Sequence, residues 1–180
     1  MGGTMTGEGS ATPAGGSGGR IAWGGWLLVS LLVIAADQFT KLRVTEALEL
    51  YERVPVLPFF DLVRLHNTGA AFSFLAGASG WQNWLFTAVA VVVSAAVFWW
   101  LTRLPRKGRD LLALGLALLL GGAIGNLIDR LLYGHVVDFL LLHYQGWSWP
   151  AFNLADSAIT GGVLLVLFDG LVLDRYRNRS

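Results

Sequence analysis

Four long runs of apolar residues, at 21–36, 84–101, 111–128 and 158–173, constrain this chain more than any other feature. A helix needs about 20 apolar residues to cross ~30 Å of hydrocarbon, and each run approaches or reaches that length. The first could be the core of a signal peptide, but the tail before it carries a single basic residue, Arg20, and three more runs follow. Four transmembrane helices are therefore expected. The composition agrees: 14% of the 180 residues are charged, against roughly 25% in a soluble domain. A formal net charge of +1 offers no basic surface to phosphates, which excludes a nucleic-acid partner. The abundance of aromatic residues beside so little charge excludes a disordered chain. There is no cysteine, so disulfides, thiolate nucleophiles and Cys-ligated zinc are out of reach.

Three segments are expected: a Gly/Ser-rich disordered tail over 1–20, a membrane domain over 21–173 and a basic tail over 174–180. The tail opens Met-Gly-Gly-Thr-Met-Thr, an N-myristoylation pattern short enough for a Gly-rich tail to match by chance. Lys and Arg in short loops set orientation. Arg103, Arg106, Lys107 and Arg109 lie between the second and third runs, and Arg175, Arg177 and Arg179 follow the fourth. Both places read as cytoplasmic, which puts both termini inside and the connections near 45–80 and 134–152 outside. Trp23, Trp26, Trp81, Trp84, Trp99, Trp100, Trp147 and Trp149 all fall near run ends, the headgroup level that indole prefers. In the first outer connection, Phe59 to His66 reads as a short half-exposed strand, and Pro55 and Pro58 confine any strand before it to an edge.

Charges near a membrane span are expensive and mark function. Asp37, Asp129, Asp138 and Asp156 fall at the outer helix ends or just beyond; Asp110, Asp169 and Asp174 fall on the inner side. Asp169 is thirteen residues beyond Asp156, about 20 Å along a helix, too far to share its site. Asn126 and Asp129, and again Asn153 and Asp156, are three apart and so share a helix face. Two carboxylates brought together can divide peptide hydrolysis: one, ionised, takes a proton from water, while the other, kept protonated, polarises the carbonyl.

Simpler roles compete for the same residues. Asn153 and Asp156 suit a helix N-terminus as cap and dipole partner. Asp129 and Arg130 could form an ion pair, as could Asp37 and Lys41 at i and i+4. Gly121-x-x-x-Gly125 and Gly161-Gly162 suit close helix packing. His66, His135 and His143 have no helix-borne ligand spacing, so no metal is expected. A Ser-Lys dyad would need Lys41 with Ser73, Ser79 or Ser157. A small four-span transporter, or an assembly protein without hydrolytic activity, is the alternative class; charge-free span middles count against the transporter.

The blocks Asp37-Gln-Phe-Thr-Lys41, Asn67-Thr-Gly-Ala-Ala-Phe72, Gly122-Ala-Ile-Gly-Asn-Leu-Ile-Asp-Arg130, Gly134-His-Val-Val-Asp-Phe139 and Phe152-Asn-Leu-Ala-Asp156 closely resemble those of the bacterial lipoprotein signal peptidase (signal peptidase II) family. The resemblance covers about 21–173. It implies an aspartic endopeptidase in the bacterial plasma (inner) membrane that cuts diacylglyceryl-modified prolipoproteins just before the lipidated cysteine. Asp138 and Asp156 would be the catalytic dyad. Asp37, Lys41, Asn67, Gly69, Ala71, Gly122, Asn126, Asp129, Arg130 and Asn153 would shape the site and bind substrate. The fold implied is an all-α four-helix membrane protein with a small outer β-sheet and a short mobile outer helix. No cofactor or metal is implied, the partners are the prolipoprotein substrates and membrane lipids, and a monomer with its active site at the outer face is expected.

Overall fold

The computed structural model describes residues 23–69, 81–105 and 109–173. The expected tails at 1–20 and 174–180, and Ala71, Ser73 and Ser79, lie outside the described residues. Four helices carry the architecture: α1 (Trp23–Ala47), α2 (Trp81–Arg103), α3 (Asp110–Tyr133) and α4 (Leu154–Phe168), the last continued by a π-helical turn over Asp169–Leu173. Three helical stretches, Trp81–Arg103, Asp110–Tyr133 and Leu154–Leu173, are long and apolar enough to cross a membrane. The first helix extends well past its apolar run, to Ala47, and its second half holds Asp37, Gln38, Lys41, Arg43 and Glu46. It stays helical there because its buried charges pair: Lys41 Nζ lies 2.7 Å from Asp37 Oδ2, one turn back.

α3 is the central helix, packed on α1, α2 and α4. Leu101 from α2 joins Leu112, Ala113, Leu116 and Leu120 of α3 in the buried apolar cluster. Glycines set how closely the other helices approach. A Cβ on Gly121 would stand 2.7 Å from Val33 Cβ of α1, and one on Gly122 would stand 2.4 Å from the carbonyl oxygen of Ala155. Gly115 and Gly162 face each other across α3 and α4 in the same way. Close packing is thus the role of Gly121, Gly125 and Gly162, but Gly161 faces open space. The outer surfaces of α1, α2 and α4 present Leu31, Leu32, Val92, Trp99, Leu164 and Leu167, as expected of helices whose solvent is lipid.

A four-stranded antiparallel sheet, ordered β1 (Arg53–Leu57), β2 (Phe60–Asn67), β3 (Val136–Tyr144) and β4 (Trp147–Ser148), caps one end of the bundle. β2 matches the expected strand near 59–66, and the Pro-bearing β1 is an edge strand. β3 was not expected from the sequence. Its run Val-Val-Asp-Phe-Leu-Leu-Leu lacks alternation because Val136 to Phe139 are all buried, which erases the period-2 signal. Among the described residues no separate short outer helix is present; 48–52 turns directly into β1. Asp61 pins the far end of the sheet, taking a hydrogen bond from Arg53 and lying 3.2 Å from His143 Nε2.

The glycine contacts carry a test. Gly122→Leu should lower the apparent melting temperature by several degrees, since overpacking typically costs about 1–3 kcal/mol. Gly161→Ala should leave it unchanged or slightly raised. Thermal unfolding of the two variants in one detergent checks the contrast.

Candidate active site

The site forms where the sheet meets the ends of α1, α3 and the start of α4. Gly134 ends α3 in the left-handed region (φ 75°) and returns its N–H to the Arg130 carbonyl, so the chain turns at once into β3. Asp138 then sits on β3, opposite Leu65 of β2, with Asn67 two positions further along β2. Phe152 bridges back to β3: its N–H donates to the Leu140 carbonyl at 3.0 Å, and its own carbonyl accepts from Phe139 and Leu140. That pairing delivers Asn153 and the first turn of α4 to the level of Asp138.

Asn153 is fully buried and joins the two aspartates. Its Nδ2 donates to Asp138 Oδ1 at 2.9 Å, while its Oδ1 accepts from the Asp156 N–H at 2.9 Å and its own N–H donates to Asp156 Oδ2. The last two bonds form a capping box. Cap and site were rival readings of Asn153 and Asp156 in the sequence, and here one arrangement serves both. Each carboxylate has a further amide donor: Asn67 Nδ2 reaches Asp138 Oδ2 at 2.9 Å, and Asn126 Nδ2 reaches Asp156 Oδ1 at 2.8 Å. Gly69 closes the turn after Asn67, its N–H on Asn67 Oδ1 and its φ at 94°. A Cβ there would also strike the Phe86 ring, so both backbone and packing require glycine.

Behind the pair lies a buried ionic cluster. Lys41 Nζ contacts Asp37 at 2.7 Å, Asp129 at 2.9 Å and Asn126 Oδ1 at 3.0 Å. Both carboxylates also hold backbone: Asp37 Oδ1 accepts the Ala155 N–H at 2.9 Å, and Asp129 Oδ2, the oxygen that also meets Lys41, accepts the Val137 N–H at 3.2 Å. Ala155 and Val137 are the residues immediately before Asp156 and Asp138. One cation therefore fixes the main chain beside both aspartates. Gln38, passed over in the sequence, completes the cluster by donating to Asp129 Oδ1 at 2.8 Å and to the Gly125 carbonyl at 3.1 Å. Its signal was an amide directly beside Asp37, within one turn of Lys41.

Two sequence alternatives give way. Asp129 does not pair with Arg130. One residue is about 100° around a helix, and Arg130 instead donates to the Asn126 carbonyl and lies over the Phe86 ring at 5.7 Å. Lys41 is taken up by Asp37, Asp129 and Asn126, and Ser157 donates instead to the Asn153 carbonyl. The histidines also separate. His66 and His135 stack at 3.7 Å, whereas His143 lies six residues along β3 from the Val137 partner of His66, about 20 Å away. Gly122 supports the site by letting α4 approach. Asp169 sits at the opposite end of the bundle with Arg109 Nη1 at 3.2 Å.

Burial pushes the Asp138 carboxyl up to about 7, with the neighbouring Asp156 charge adding to the rise and the Asn67 and Asn153 donors opposing it. The unfolded chain gives up this proton near 3.8, the folded chain only near 7. The folded state therefore binds the extra proton between those values, and stability falls as pH rises through that window. Asp138→Asn should flatten this dependence: wild type loses stability relative to the variant from pH 4 to pH 8. Melting temperatures of both proteins across that range check it.

A sequence profile of the family described as Signal peptidase (SPase) II matches residues 29–172. The chain is 54% identical over 159 residues to the lipoprotein signal peptidase of Pseudomonas putida, covering 87% of this chain and 91% of that protein. It is 52% identical over 152 residues to that of Ectopseudomonas mendocina, covering 83% and 89% respectively. A solved bacterial membrane enzyme structure superposes with a TM-score of 0.73 at 29% identity, over 89% of this chain and 94% of the other. With a profile spanning most of the chain and relatives this similar, the chain belongs to the signal peptidase II family.

Proposed function

We propose that this chain removes signal peptides from diacylglyceryl-modified prolipoproteins, cutting just before the lipidated cysteine, with Asp138 and Asp156 as its catalytic pair. The observation that carries the assignment is Asn153, one buried residue that donates its side-chain amide to the Asp138 carboxylate and its backbone N–H to the Asp156 carboxylate. Asp138 is almost fully buried, and its raised pKa, about 7, keeps a proton available at neutral pH. Asp156 is half-buried and lines an open cavity of about 470 Å³ with Leu142, Trp149, Phe152, Ser157 and Thr160. Such a mostly apolar recess beside a carboxylate suits a peptide whose acyl chains stay in the lipid.

In this reading Asp156 takes a proton from water as the water oxygen bonds to the scissile carbonyl carbon, and Asp138 gives its proton to the carbonyl oxygen. The resulting diol collapses as Asp156 passes its proton to the leaving nitrogen. The C–N bond breaks, a diol hydroxyl returns its proton to Asp138, and one water has been consumed. The Asn67, Asn126 and Asn153 amides hold the carboxylates through both steps, and Gly69 shapes the chain beside Asn67.

We further read all four helices as spans of the bacterial plasma membrane, with both termini cytoplasmic and the sheet end outside. Arg103 and Arg109 beside the α2–α3 connection support this orientation. So do the exposed Trp147 and Trp149 at the sheet end. The active unit is proposed to be a monomer.

Cleavage of a lipidated prolipoprotein in detergent is the test. Asp138→Asn and Asp156→Asn should each lower the rate at least a thousandfold, Asp169→Asn should retain most activity, and an unlipidated substrate should be cut poorly. Substantial activity in either dyad variant would remove the pair from the mechanism. A wild-type protein that cleaves nothing would favour a transporter or assembly role.

A further inference from the structure

The reverse face of the sheet holds a second cavity that the hydrolysis does not use. Asn67 and Asp138 occupy one face of β2 and β3; His66 and Val137, paired across the same strands, turn to the other. There a cavity of about 220 Å³ opens between the ends of α1 and α3, lined by Lys41, Arg64, His66, Asp129, Tyr133 and His135 among others. It is smaller than the ~300 Å³ at which drug-sized pockets begin, and suits a headgroup fragment.

Its charged side chains fall into two groups. Asp129 lies 2.9 Å from Lys41 and Asp37 2.7 Å from the same ammonium, so those three are held by one another. Arg64 is different. Its guanidinium donates through Nη1 to the carbonyls of Thr45, in the last turn of α1, and of Leu48 just after it, and no carboxylate among the described residues pairs with it. Its Nε is buried without any hydrogen-bond partner. Beside it lie the two stacked imidazoles of His66 and His135. Burial, and then the fields of His135 and Arg64, hold His66 below the usual histidine range; a bound anion would reverse that effect. The rim is apolar and lipid-accessible, with Leu42 55% and Tyr133 60% exposed.

An unpaired guanidinium and two imidazoles behind an apolar rim, at the end of a membrane bundle, match an amphiphile with an anionic head. We propose that this cavity binds the phosphate ester of a membrane phospholipid, with Arg64, His66 and His135 around the phosphate and the glycerol side toward Leu42 and Tyr133. The site is separate from the catalytic pair and shares Lys41 and Asp129 with the cluster behind it. Lipid occupancy would thus brace the same backbone that positions the aspartates.

The full chain in a neutral detergent, titrated with dihexanoyl phosphatidylglycerol, tests this. The melting temperature should rise saturably by several degrees, whereas dihexanoyl glycerol and inorganic phosphate at the same concentrations should not raise it. Arg64→Gln and His135→Gln should each weaken the apparent affinity at least fivefold; Arg43→Gln, an exposed control, and Asp156→Asn should not. His135→Gln keeps the test decisive if loss of the Arg64 contacts to α1 prevents folding. An equal response from His135→Gln and wild type would overturn the proposal. So would an equal rise with inorganic phosphate, which marks a free-anion site, or an affinity lost only in Asp156→Asn, which marks the substrate cavity.

Discussion

The Lys41 ammonium between Asp37 and Asp129 is the interaction on which the rest of the site depends. Burying ions costs several kcal/mol each unless every charge is paired and hydrogen-bonded. Here the lysine meets two carboxylates and the Asn126 side-chain carbonyl, and each carboxylate also accepts a backbone N–H. Nothing apolar of the same shape could replace this cluster and still hold Val137 and Ala155. Removing the cation would leave two buried carboxylates facing each other, a loss typically of about 3–5 kcal/mol. The cluster links α1, α3, β3 and α4, which are far apart in sequence, at one point.

That arrangement divides labour between two tiers. The ionic tier fixes main chain, and the amide tier of Asn67, Asn126 and Asn153 fixes carboxylate oxygens. Asn126 belongs to both, accepting from Lys41 and Asn153 with its oxygen and donating to Asp156 with its nitrogen. A pair of aspartates needs this support because two carboxylates held near each other resist sharing a site, and the repulsion that raises one proton affinity would otherwise push the side chains apart.

Much of this was legible in the sequence because its signals were local. Apolar runs announced α2, α3 and α4, the three-residue spacings put Asn126 with Asp129 and Asn153 with Asp156, and the i, i+4 spacing put Asp37 with Lys41. The motif blocks carried the family. What escaped was long-range or backbone-borne. β3 has no alternating pattern because both its faces are covered near Asp138. The partner of Asp129 comes from α1, 88 positions upstream, and no spacing rule reaches that far. Gln38 and Arg64 read as ordinary polar residues until the fold placed one on Asp129 and the other at the end of α1.

In the proposed mechanism Asp138 and Asp156 act as one unit. Single-turnover cleavage of a lipidated prolipoprotein by wild type, Asp138→Asn, Asp156→Asn and the double variant tests it most directly. If the pair shares a single task, the double variant is no slower than the slower single variant, because either loss already abolishes the step. Losses that multiply in the double variant would instead show two carboxylates that contribute independently.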